Sequence, residues 1–439
     1  MTSEPIRPAT PEDLRISTLG KPRYSSPLPR QSFTPEAARV LVEIDFLEGD
    51  SAPTTAFEKA GPRQRLYFDP QASKAAIVTC GGLCPGLNNV IRHLYFTLHA
   101  AYGVPTVLGV RNGYQGLNPA VGKPPLELTG EGVETIHHHG GTILGTSRGP
   151  QDPGVIVDTL LDWGVNMLFP IGGDGTQRGA HAVAQEAQRR GAPIAVVGVP
   201  KTIDNDIRYC FQTFGFASAV GEAERVIDRA HVEAKSVDRG VGLVKLMGRH
   251  AGFIAAAATV ASGEVNFTLV PEQPFVLEGD DGFLARLDRR LDARGHAVVV
   301  VAEGAGQDLI AAEDAECDAS GNRLLIDIGP FLKKKMGDHF RDIGKPIGMK
   351  YFDPSYYIRS VKANAGDSLL TERFARHAVN AALAGKTDLF VGSWNGRTVH
   401  VPLAASIGSQ RLLAPDSELW TAVEAITGQS RWSRQERAG

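Results

Sequence analysis

Two carboxylates and a hydroxyl follow an apolar run near the middle of the chain. Residues 194–199 are mostly Ile, Ala and Val, and the loop behind them reads Pro-Lys-Thr-Ile-Asp-Asn-Asp from Pro200 to Asp206. Such a run predicts a buried parallel strand, and ligands bind at the carboxyl ends of parallel strands. Asp204 and Asp206 are two residues apart, so an extended backbone would direct both side chains towards one ligand. A solvated turn rich in Asp and Asn explains this loop equally well on its own.

Two glycine-rich loops each stand between an apolar run and a helical pattern. The first covers residues 81–89, and the second is Gly-Gly-Asp-Gly-Thr at 172–176. Backbone N–H groups in such loops bind phosphates, and a carboxylate among the glycines can hold the Mg²⁺ that accompanies a nucleoside triphosphate. The second loop type also occurs in NAD kinases and lipid kinases. It therefore indicates a phosphoryl donor more strongly than it indicates a substrate.

Composition excludes several classes of partner. The 439 residues include 46 basic and 49 acidic ones, and a net charge of −3 gives no electrostatic reason to expect nucleic acid or a membrane surface as partner. The 4 cysteines are too few for a disulfide framework in a chain of this length. No cationic leader with an apolar region opens the sequence, and no apolar run approaches the ~20 residues of a membrane span. We therefore expect a cytoplasmic protein.

Strand and helix patterns alternate from residue 74 onwards, which predicts an α/β fold with doubly wound parallel sheets. The predicted strands cover residues 75–79, 106–110, 167–171, 194–199, 241–246, 266–270 and 297–302. The predicted helices cover residues 90–98, 177–190, 217–235, 250–262, 281–294 and 369–383. Residues 388–401 resemble two strands around the turn Asn395-Gly396. Residues 1–73 are rich in Pro and Ser and are interpreted as an extension with at most a short ordered piece at 40–46.

Seven motifs in this order resemble the phosphofructokinase family, and the match runs from about residue 74 to residue 400. They are Gly-Gly-Leu-Cys-Pro-Gly-Leu-Asn at 81–88, Gly-Tyr-Gln-Gly-Leu at 113–117, Gly-Thr-Ser-Arg-Gly at 145–149, Gly-Gly-Asp-Gly-Thr at 172–176, Pro-Lys-Thr-Ile-Asp-Asn-Asp at 200–206, Met-Gly-Arg-His-Ala-Gly at 247–252 and Ala-Glu-Gly at 302–304. The 200–206 motif is close to diagnostic, because NAD kinases and lipid kinases lack it.

The resemblance implies ATP-dependent phosphorylation of fructose 6-phosphate at C1, with Mg²⁺ as cofactor, which is the committing step of glycolysis. Asp204 would be the catalytic base and Asp174 the Mg²⁺ ligand. The implied ATP-binding residues are Gly82, Tyr114, Arg148, Gly149, Gly173, Asp174, Gly175 and Thr176. The implied substrate-binding residues are Thr202, Ile203, Asp204, Met247, Gly248, Arg249, Glu303, Lys350, Tyr356, Tyr357, Ile358 and Arg359. Positioning and charge neutralisation by such groups are what phosphoryl transfer requires.

Two positions bear on the choice of phosphoryl donor. Pyrophosphate-dependent members of the family combine Asp at the position of Gly175 with Lys at that of Lys201, whereas short ATP-dependent members have Gly at both. This chain has Gly and then Lys, which resembles the ATP-dependent subgroup that includes plant and trypanosome enzymes. A pyrophosphate-dependent enzyme and a catalytically silent regulatory homologue remain the alternatives.

The resemblance also implies an arrangement of lobes and subunits. Residues 74–212, completed by about 362–400, would form the donor lobe, and residues 213–361 the sugar-phosphate lobe, with the active site between them and extensions at 1–73 and 401–439. The family's sugar site is usually shared between subunits, so a homodimer or homotetramer is expected. Gly240 departs from this pattern, because many short bacterial members have an Arg there that reaches into a neighbouring subunit.

Overall fold

Short strands alternate with helices along most of the chain. The computed structural model describes residues 10–28, 33–49, 51–310, 325–429 and 431. The strands are β1 (Ser17–Thr18), β2 (Tyr24–Ser25), β3 (Arg39–Leu41), β4 (Ala56–Lys59), β5 (Arg65–Leu66), β6 (Lys74–Thr79), β7 (Thr106–Val110), β8 (Leu126–Glu127), β9 (Met167–Gly172), β10 (Ala195–Pro200), β11 (Gly240–Leu246), β12 (Phe267–Leu269), β13 (His296–Ala302), β14 (Gly348–Phe352), β15 (Lys386–Thr387), β16 (Leu389–Trp394) and β17 (Arg397–Pro402). The helices are α1 (Leu87–Phe96), α2 (Gly130–Val133), α3 (Pro153–Asp162), α4 (Asp174–Arg189), α5 (Phe216–Lys235), α6 (Phe253–Ser262), α7 (Phe283–Arg294), α8 (Ile328–Asp342), α9 (Ser355–Ile358), α10 (Ala365–Leu383), α11 (Leu403–Ser406) and α12 (Glu418–Thr427).

The chain divides into two compact units. Unit 1 comprises Met1–Ile203, Ile207–Gly215 and Ser360–Gln410. Unit 2 comprises Asp204–Asp206, Phe216–Arg359 and Arg411–Gly439. None of the helices in the described ranges combines the length and apolar character of a membrane span.

Unit 1 is built on a nine-stranded sheet with the order β3-β4-β17-β16-β10-β9-β6-β7-β8. The central strands from β16 to β7 run parallel, while the strands outside them at both edges pair antiparallel. All six residues of β9 and of β10 are buried, which is why these strands are continuous apolar runs rather than alternating ones. Their carboxyl ends lead directly into the loops at 172–176 and 200–206.

Residues before 74 contribute strands that the sequence did not predict. β4 pairs with β17, and β3 pairs with β4, so this segment extends the main sheet at one edge. Phe57 of β4 is fully buried, and its ring meets the Tyr209 and Trp394 rings edge to face, with centroids 5.3 Å and 5.9 Å away. The segment is therefore part of the unit 1 core.

A buried ionic cluster fixes the same segment to the sheet. The Glu58 carboxylate accepts from the Lys386 ammonium at 2.9 Å, from the His400 ring at 2.9 Å and from the Arg63 guanidinium at 2.9 Å. Burial alone would raise the pKa of Glu58, but His400 and Lys386 outweigh this effect and hold it well below its ordinary value. Glu58 is therefore ionised in the folded protein at neutral pH.

Unit 2 contains a four-stranded parallel sheet with the order β12-β13-β11-β14. Every residue of β11 is buried, and the strand packs against helices α5 and α8. The two parallel-stranded units confirm the predicted α/β fold class. The hairpin at 388–401 is also confirmed: β16 and β17 are joined by Asn395 and Gly396, which both have positive φ, as a tight hairpin turn requires.

Candidate active site

The predicted donor-site loops are hydrogen-bonded to one another at the carboxyl ends of β6, β9 and β10. The Cys80 N–H donates to the Ile171 carbonyl at 3.0 Å, and the Lys201 N–H donates to the Gly172 carbonyl at 3.0 Å. The Gly81 N–H donates to the Ser147 carbonyl at 3.1 Å. Unit 1 thus brings together three whole motifs, at 81–88, 145–149 and 172–176, and the start of a fourth, residues 200–203, as a single backbone framework.

The loop at 172–176 presents one carboxylate and an open space. Gly173 is the N-cap of α4, and Asp174 and Gly175 are the first residues of this helix. The Asp174 carboxylate accepts from Arg178 at 3.1 Å and is 33% exposed, so it can still reach a ligand. A Cβ placed on Gly175 would meet only an Arg178 nitrogen, at 4.0 Å. The helix start therefore offers N–H groups, one acidic side chain and room beside it.

Tyr114 supports the end of this loop through a hydrogen bond to Thr176. The Tyr114 hydroxyl donates to the Thr176 carbonyl at 2.9 Å, and both side chains are buried. Burial raises the pKa of Tyr114 well above its ordinary value, so the hydroxyl keeps its proton and remains a donor. Since that hydroxyl is directed at the loop backbone, a direct contact of Tyr114 with ATP stays a prediction.

Lys201 is buried and links the loop at 200–206 to the first glycine loop. Its ammonium donates to the Gly82 carbonyl at 2.7 Å. Arg148 is exposed, and a terminal nitrogen of it would lie 3.9 Å from a Cβ placed on Gly82. Gly149, the next residue, has φ of 94°, a conformation that favours glycine. The predicted donor-binding residues Gly82, Arg148 and Gly149 and the predicted donor-specificity residue Lys201 are therefore neighbours.

The segment that carries the candidate base is a turn. Ile203 and Asp204 lie in the turn and Asn205 has φ of 57°. The backbone is therefore not extended, and the expectation that an extended backbone directs Asp204 and Asp206 to the same side is wrong. The Thr213 hydroxyl donates to the Thr202 carbonyl at 2.6 Å and holds the start of the turn. Asp204 is half-buried, and it is the first residue of the short piece assigned to unit 2.

Unit 2 assembles its own set at the carboxyl ends of β11 and β13. Leu246 pairs with Ala302, which places the following residues, Met247 and Glu303, next to each other. Gly248 has φ of 129°, and a Cβ there would lie 2.7 Å from a carbonyl oxygen, so only glycine fits. Burial raises the pKa of Glu303, while the nearby charges of Arg249 and Lys245 lower it in part.

The remaining predicted substrate-binding residues lie on β14 and around α9. Lys350 is exposed on β14, and the Tyr356 and Tyr357 side chains are 76% and 69% exposed. The Arg359 guanidinium lies 4.4 Å from the centroid of the Tyr356 ring. Ile358 is fully buried, so its side chain anchors α9, and any contact with a ligand would have to come from its backbone. Exposed tyrosines, one of them in contact with the Arg359 guanidinium, fit an anionic ligand.

The two units therefore hold different parts of the predicted site. Unit 1 contains Gly82, Tyr114, Arg148, Gly149, Gly173, Asp174, Gly175, Thr176, Lys201, Thr202 and Ile203. Unit 2 contains Asp204, Met247, Gly248, Arg249, Glu303, Lys350, Tyr356, Tyr357, Ile358 and Arg359.

Sequence reasoning missed two buried polar residues that support these sets. The Gln177 amide donates to the Gly172 carbonyl at 2.9 Å and to the Val199 carbonyl at 3.4 Å, so it ties the ends of β9 and β10 together. Lys245 interrupts the apolar run of β11, and its ammonium contacts Asp353 at 2.7 Å. The signal in both cases is a polar residue inside an otherwise apolar face, next to a motif.

The oxygen ligands near the 172–176 loop fit a magnesium ion that is shared with a phosphate substrate, and they do not fit a metal held by protein side chains alone. Across the described ranges, no group of three or more His, Cys, Asp or Glu side chains could hold a metal ion. Mg²⁺ is commonly bound through one or two carboxylates, water and the phosphates of a substrate. A single accessible carboxylate, Asp174, at a helix N-terminus satisfies that requirement. Cys80 has no comparable role, because burial raises the pKa of its thiol to about 12.

A model of the family described as Phosphofructokinase matches residues 74–382. The chain belongs to the phosphofructokinase family, as its motifs predicted.

Similar proteins include bacterial, plant and trypanosome enzymes. An ATP-dependent 6-phosphofructokinase of Amycolatopsis methanolica is 47% identical, and the match covers 95% of this chain and 95% of its own. ATP-dependent 6-phosphofructokinase 7 of Arabidopsis thaliana is 47% identical over 85% of this chain and 77% of its own. An ATP-dependent 6-phosphofructokinase of Trypanosoma cruzi is 42% identical over 96% of this chain and 89% of its own.

The fold matches solved structures of the family as well. A crystal structure of a pyrophosphate-dependent phosphofructokinase from Marinobacter aquaeolei superposes with a TM-score of 0.66 at 22% identity, covering 82% of this chain and 93% of that one. At this identity the match concerns the fold alone.

Proposed function

We propose that this protein transfers the γ-phosphoryl group of ATP to the C1 hydroxyl of fructose 6-phosphate, giving fructose 1,6-bisphosphate and ADP. The observation that carries this proposal is the similarity to ATP-dependent 6-phosphofructokinases, at 47% identity over 95% of the chain in one case and 42% over 96% in another. The described geometry supports it, since unit 1 brings glycine-rich loops together at the start of α4 and unit 2 carries an exposed basic and aromatic set.

ATP is favoured as the donor by the open space beside Gly175. The nearest atom to a Cβ at this position is 4.0 Å away, so the space is free for the α-phosphate and the nucleoside beyond it. Lys201 does not discriminate between donors, because an ammonium attracts the terminal phosphates of ATP and of pyrophosphate alike. Its 2.7 Å bond to the Gly82 carbonyl gives it a second task, which is to hold the glycine loop in place.

Mg²⁺ is the proposed cofactor, with Asp174 as its protein ligand. When bound, the ion would neutralise charge on the phosphate oxygens. The chain's own contribution to donor binding would come from the N–H groups at the start of α4, the Arg148 guanidinium and the Lys201 ammonium. These groups would hold the phosphate chain in one orientation, and orientation is the main requirement of this reaction class.

Asp204 is the proposed general base. An ionised carboxylate at this position can accept the proton of the C1 hydroxyl as the phosphoryl group arrives. The turn that carries Asp204 is fixed at its start by the Thr213 to Thr202 hydrogen bond of 2.6 Å. A base held in this way can be placed within hydrogen-bond reach of one hydroxyl.

Unit 2 would bind the sugar phosphate. Lys350 and Arg359 would neutralise the 6-phosphate, and Tyr356 and Tyr357 would line its site. The loops after β11 and β13, with Met247, Gly248, Arg249 and Glu303, would contact the sugar. A homodimer or homotetramer and a cytoplasmic location are part of the same proposal.

Product analysis tests the proposed function. The purified protein would be incubated with ATP, Mg²⁺ and fructose 6-phosphate, and the product identified by phosphorus NMR. We expect a new C1 phosphate ester and one ADP per ester formed. Binding of ATP or of the sugar phosphate with no ester formed would instead support the silent regulatory homologue. An ester at another carbon would overturn the assignment of the acceptor hydroxyl.

A further inference from the structure

A buried lysine lies in an inner strand of the unit 2 sheet, close to the proposed sugar-phosphate site. Lys245 is on β11, and its side chain is 11% exposed. Its ammonium contacts both carboxylate oxygens of Asp327 at 3.1 Å and one oxygen of Asp353 at 2.7 Å. Burying an ammonium is costly unless it is paired, so this position requires its carboxylate partners.

Strand register explains why these groups meet. β11 and β14 are parallel, and Val244 pairs with Phe352, so the next residues along each strand, Lys245 and Asp353, are neighbours. Burial alone would lower the pKa of Lys245, but the bonds to Asp353 and Asp327 outweigh it and raise the pKa above its ordinary value. The lysine is therefore charged in the folded protein.

Asp353 connects this lysine to α9. One Asp353 oxygen binds the Lys245 ammonium, while the other accepts from the Ser355 hydroxyl at 2.6 Å and from the Ser355 N–H at 3.2 Å. Helix α9 has only four residues, Ser355–Ile358, and a helix this short has almost no stability of its own. Its position depends on anchors: Asp353 at its start and the buried side chain of Ile358 at its end.

The same lysine offsets a local excess of negative charge. The charges of Lys245, Arg249, Asp327 and Asp353 all act on Glu303, the first two lowering its pKa and the last two raising it. Without the ammonium, the Asp327 and Asp353 carboxylates would be left uncompensated near residues that are proposed to bind a phosphate ester. Uncompensated carboxylates repel such a ligand.

We propose that Lys245 is a positioning residue for the sugar phosphate, acting through Asp353. It holds Asp353 at the start of α9, so that Tyr356 and Arg359 keep the place from which they bind the 6-phosphate, and it cancels carboxylate charge at that site. Lys245 does not itself touch the sugar. This inference rests on the proposed function, because it takes unit 2 to be the sugar-phosphate unit.

Steady-state kinetics with fructose 6-phosphate and ATP test the proposal. Lys245→Met keeps the length of the side chain and removes its charge. We expect the KM for fructose 6-phosphate to rise at least about tenfold, the scale of one lost hydrogen bond to a charged group, with kcat and the KM for ATP little changed. A structural defect alone would lower kcat and the amount of active enzyme without this selectivity.

A second substitution separates charge from folding. In Lys245→Met/Asp353→Asn the uncompensated Asp353 charge is gone, while the amide oxygen can still accept from Ser355. We expect this double variant to recover most of the lost affinity, whereas Asp353→Ala, which also removes the α9 anchor, should raise the KM on its own. Since Asp353 is 33% exposed, the Asp353→Ala variant tests the proposal even where Lys245→Met fails to fold.

The matched control is Lys345→Met. Lys345 also pairs with two carboxylates of unit 2, Asp288 and Asp292, but these contact Arg239, which precedes β11 at its opposite end. The KM of Lys345→Met for fructose 6-phosphate should match that of the unmodified protein. An unchanged KM in both Lys245→Met and Asp353→Ala would overturn the proposal, and so would a double variant no better than Lys245→Met. Absence of turnover in the unmodified protein would instead refute the proposed function.

Discussion

The substitution Gly175→Asp tests the donor site most sharply. Gly175 is the second residue of α4, it is exposed, and a Cβ there would meet only an Arg178 nitrogen at 4.0 Å. The protein should therefore accept the new side chain without a steric clash. An acidic residue in the first turn of a helix also interacts favourably with the helix dipole, by about 0.3–1 kcal/mol. We expect no loss of thermal stability.

The substitution Gly175→Asp should weaken the binding of ATP without destabilising the fold. A carboxylate about 4 Å from a phosphate oxygen repels it by roughly 4 kcal/mol at an effective dielectric constant near 20. That energy corresponds to about a 10³-fold loss of affinity. Arg178, which already pairs with Asp174 at 3.1 Å, would offset part of the new charge. We therefore expect kcat/KM for ATP to fall by roughly 10² to 10³-fold.

The assay is the initial rate of fructose 1,6-bisphosphate formation at varied ATP, with thermal unfolding measured on the same preparation. Gly337→Asp is a matched control, because a Cβ at this α8 glycine would meet nothing within 4 Å and the residue lies outside the donor set. Its kcat/KM for ATP should be unchanged. If Gly175→Asp kept ATP activity within about threefold of the unmodified protein, the donor would not lie beside Gly175.

Three further predictions concern the base, the loop and the response to pH. Asp204→Asn should lower kcat at least about 10²-fold with little change in the KM for ATP, and near-normal turnover would exclude Asp204 as the base. Lys201→Gly removes the 2.7 Å bond to Gly82, so it should raise the KM for ATP yet leave part of the activity; complete loss would contradict this. Burial lowers the pKa of His377 to about 3 and that of His400 below its ordinary value, so the unfolded chain binds more protons than the folded one below about pH 6.5. The free energy of unfolding, measured by urea titration at several pH values, should therefore fall as the pH drops below that value. The fall should be shallower in His377→Gln. Equal slopes of this free energy against pH in the two proteins would contradict the assignment to His377.

Local patterns in the sequence predict the buried strands and the tight turn of this fold. Strands β9, β10 and β13 are apolar runs because both of their faces are covered, and β11 is one apart from Lys245; such runs are visible in the sequence itself. The hairpin around Asn395-Gly396 was predicted from a turn that needs positive φ at both residues. Predicted ends shifted by a few residues, as for α6, which begins at Phe253 rather than at residue 250.

Contacts between distant segments could not be predicted in the same way. The strands before residue 74 have no strong periodicity, and they are stabilised by partners far along the chain: β17 pairs with β4, and Lys386 and His400 surround Glu58. Nothing local in the sequence marks those partners.

The candidate site shows the same division. The glycine loops follow their strands as the sequence indicated, since the carboxyl ends of parallel strands must meet at one edge. The geometry of the 200–206 segment could not be predicted from the sequence, because Asn205 adopts φ of 57° and the segment turns. The partners of Lys245 and Gln177 depend on strand register, which is a property of the folded sheet.

A comparison of two donors on one preparation of the unmodified protein tests the proposed ATP dependence most directly. Initial rates of fructose 1,6-bisphosphate formation would be measured with Mg²⁺ and fructose 6-phosphate, first with ATP and then with pyrophosphate at equal concentration. We predict rapid turnover with ATP and almost none with pyrophosphate. Efficient turnover with pyrophosphate, or no turnover with either donor, would contradict this prediction.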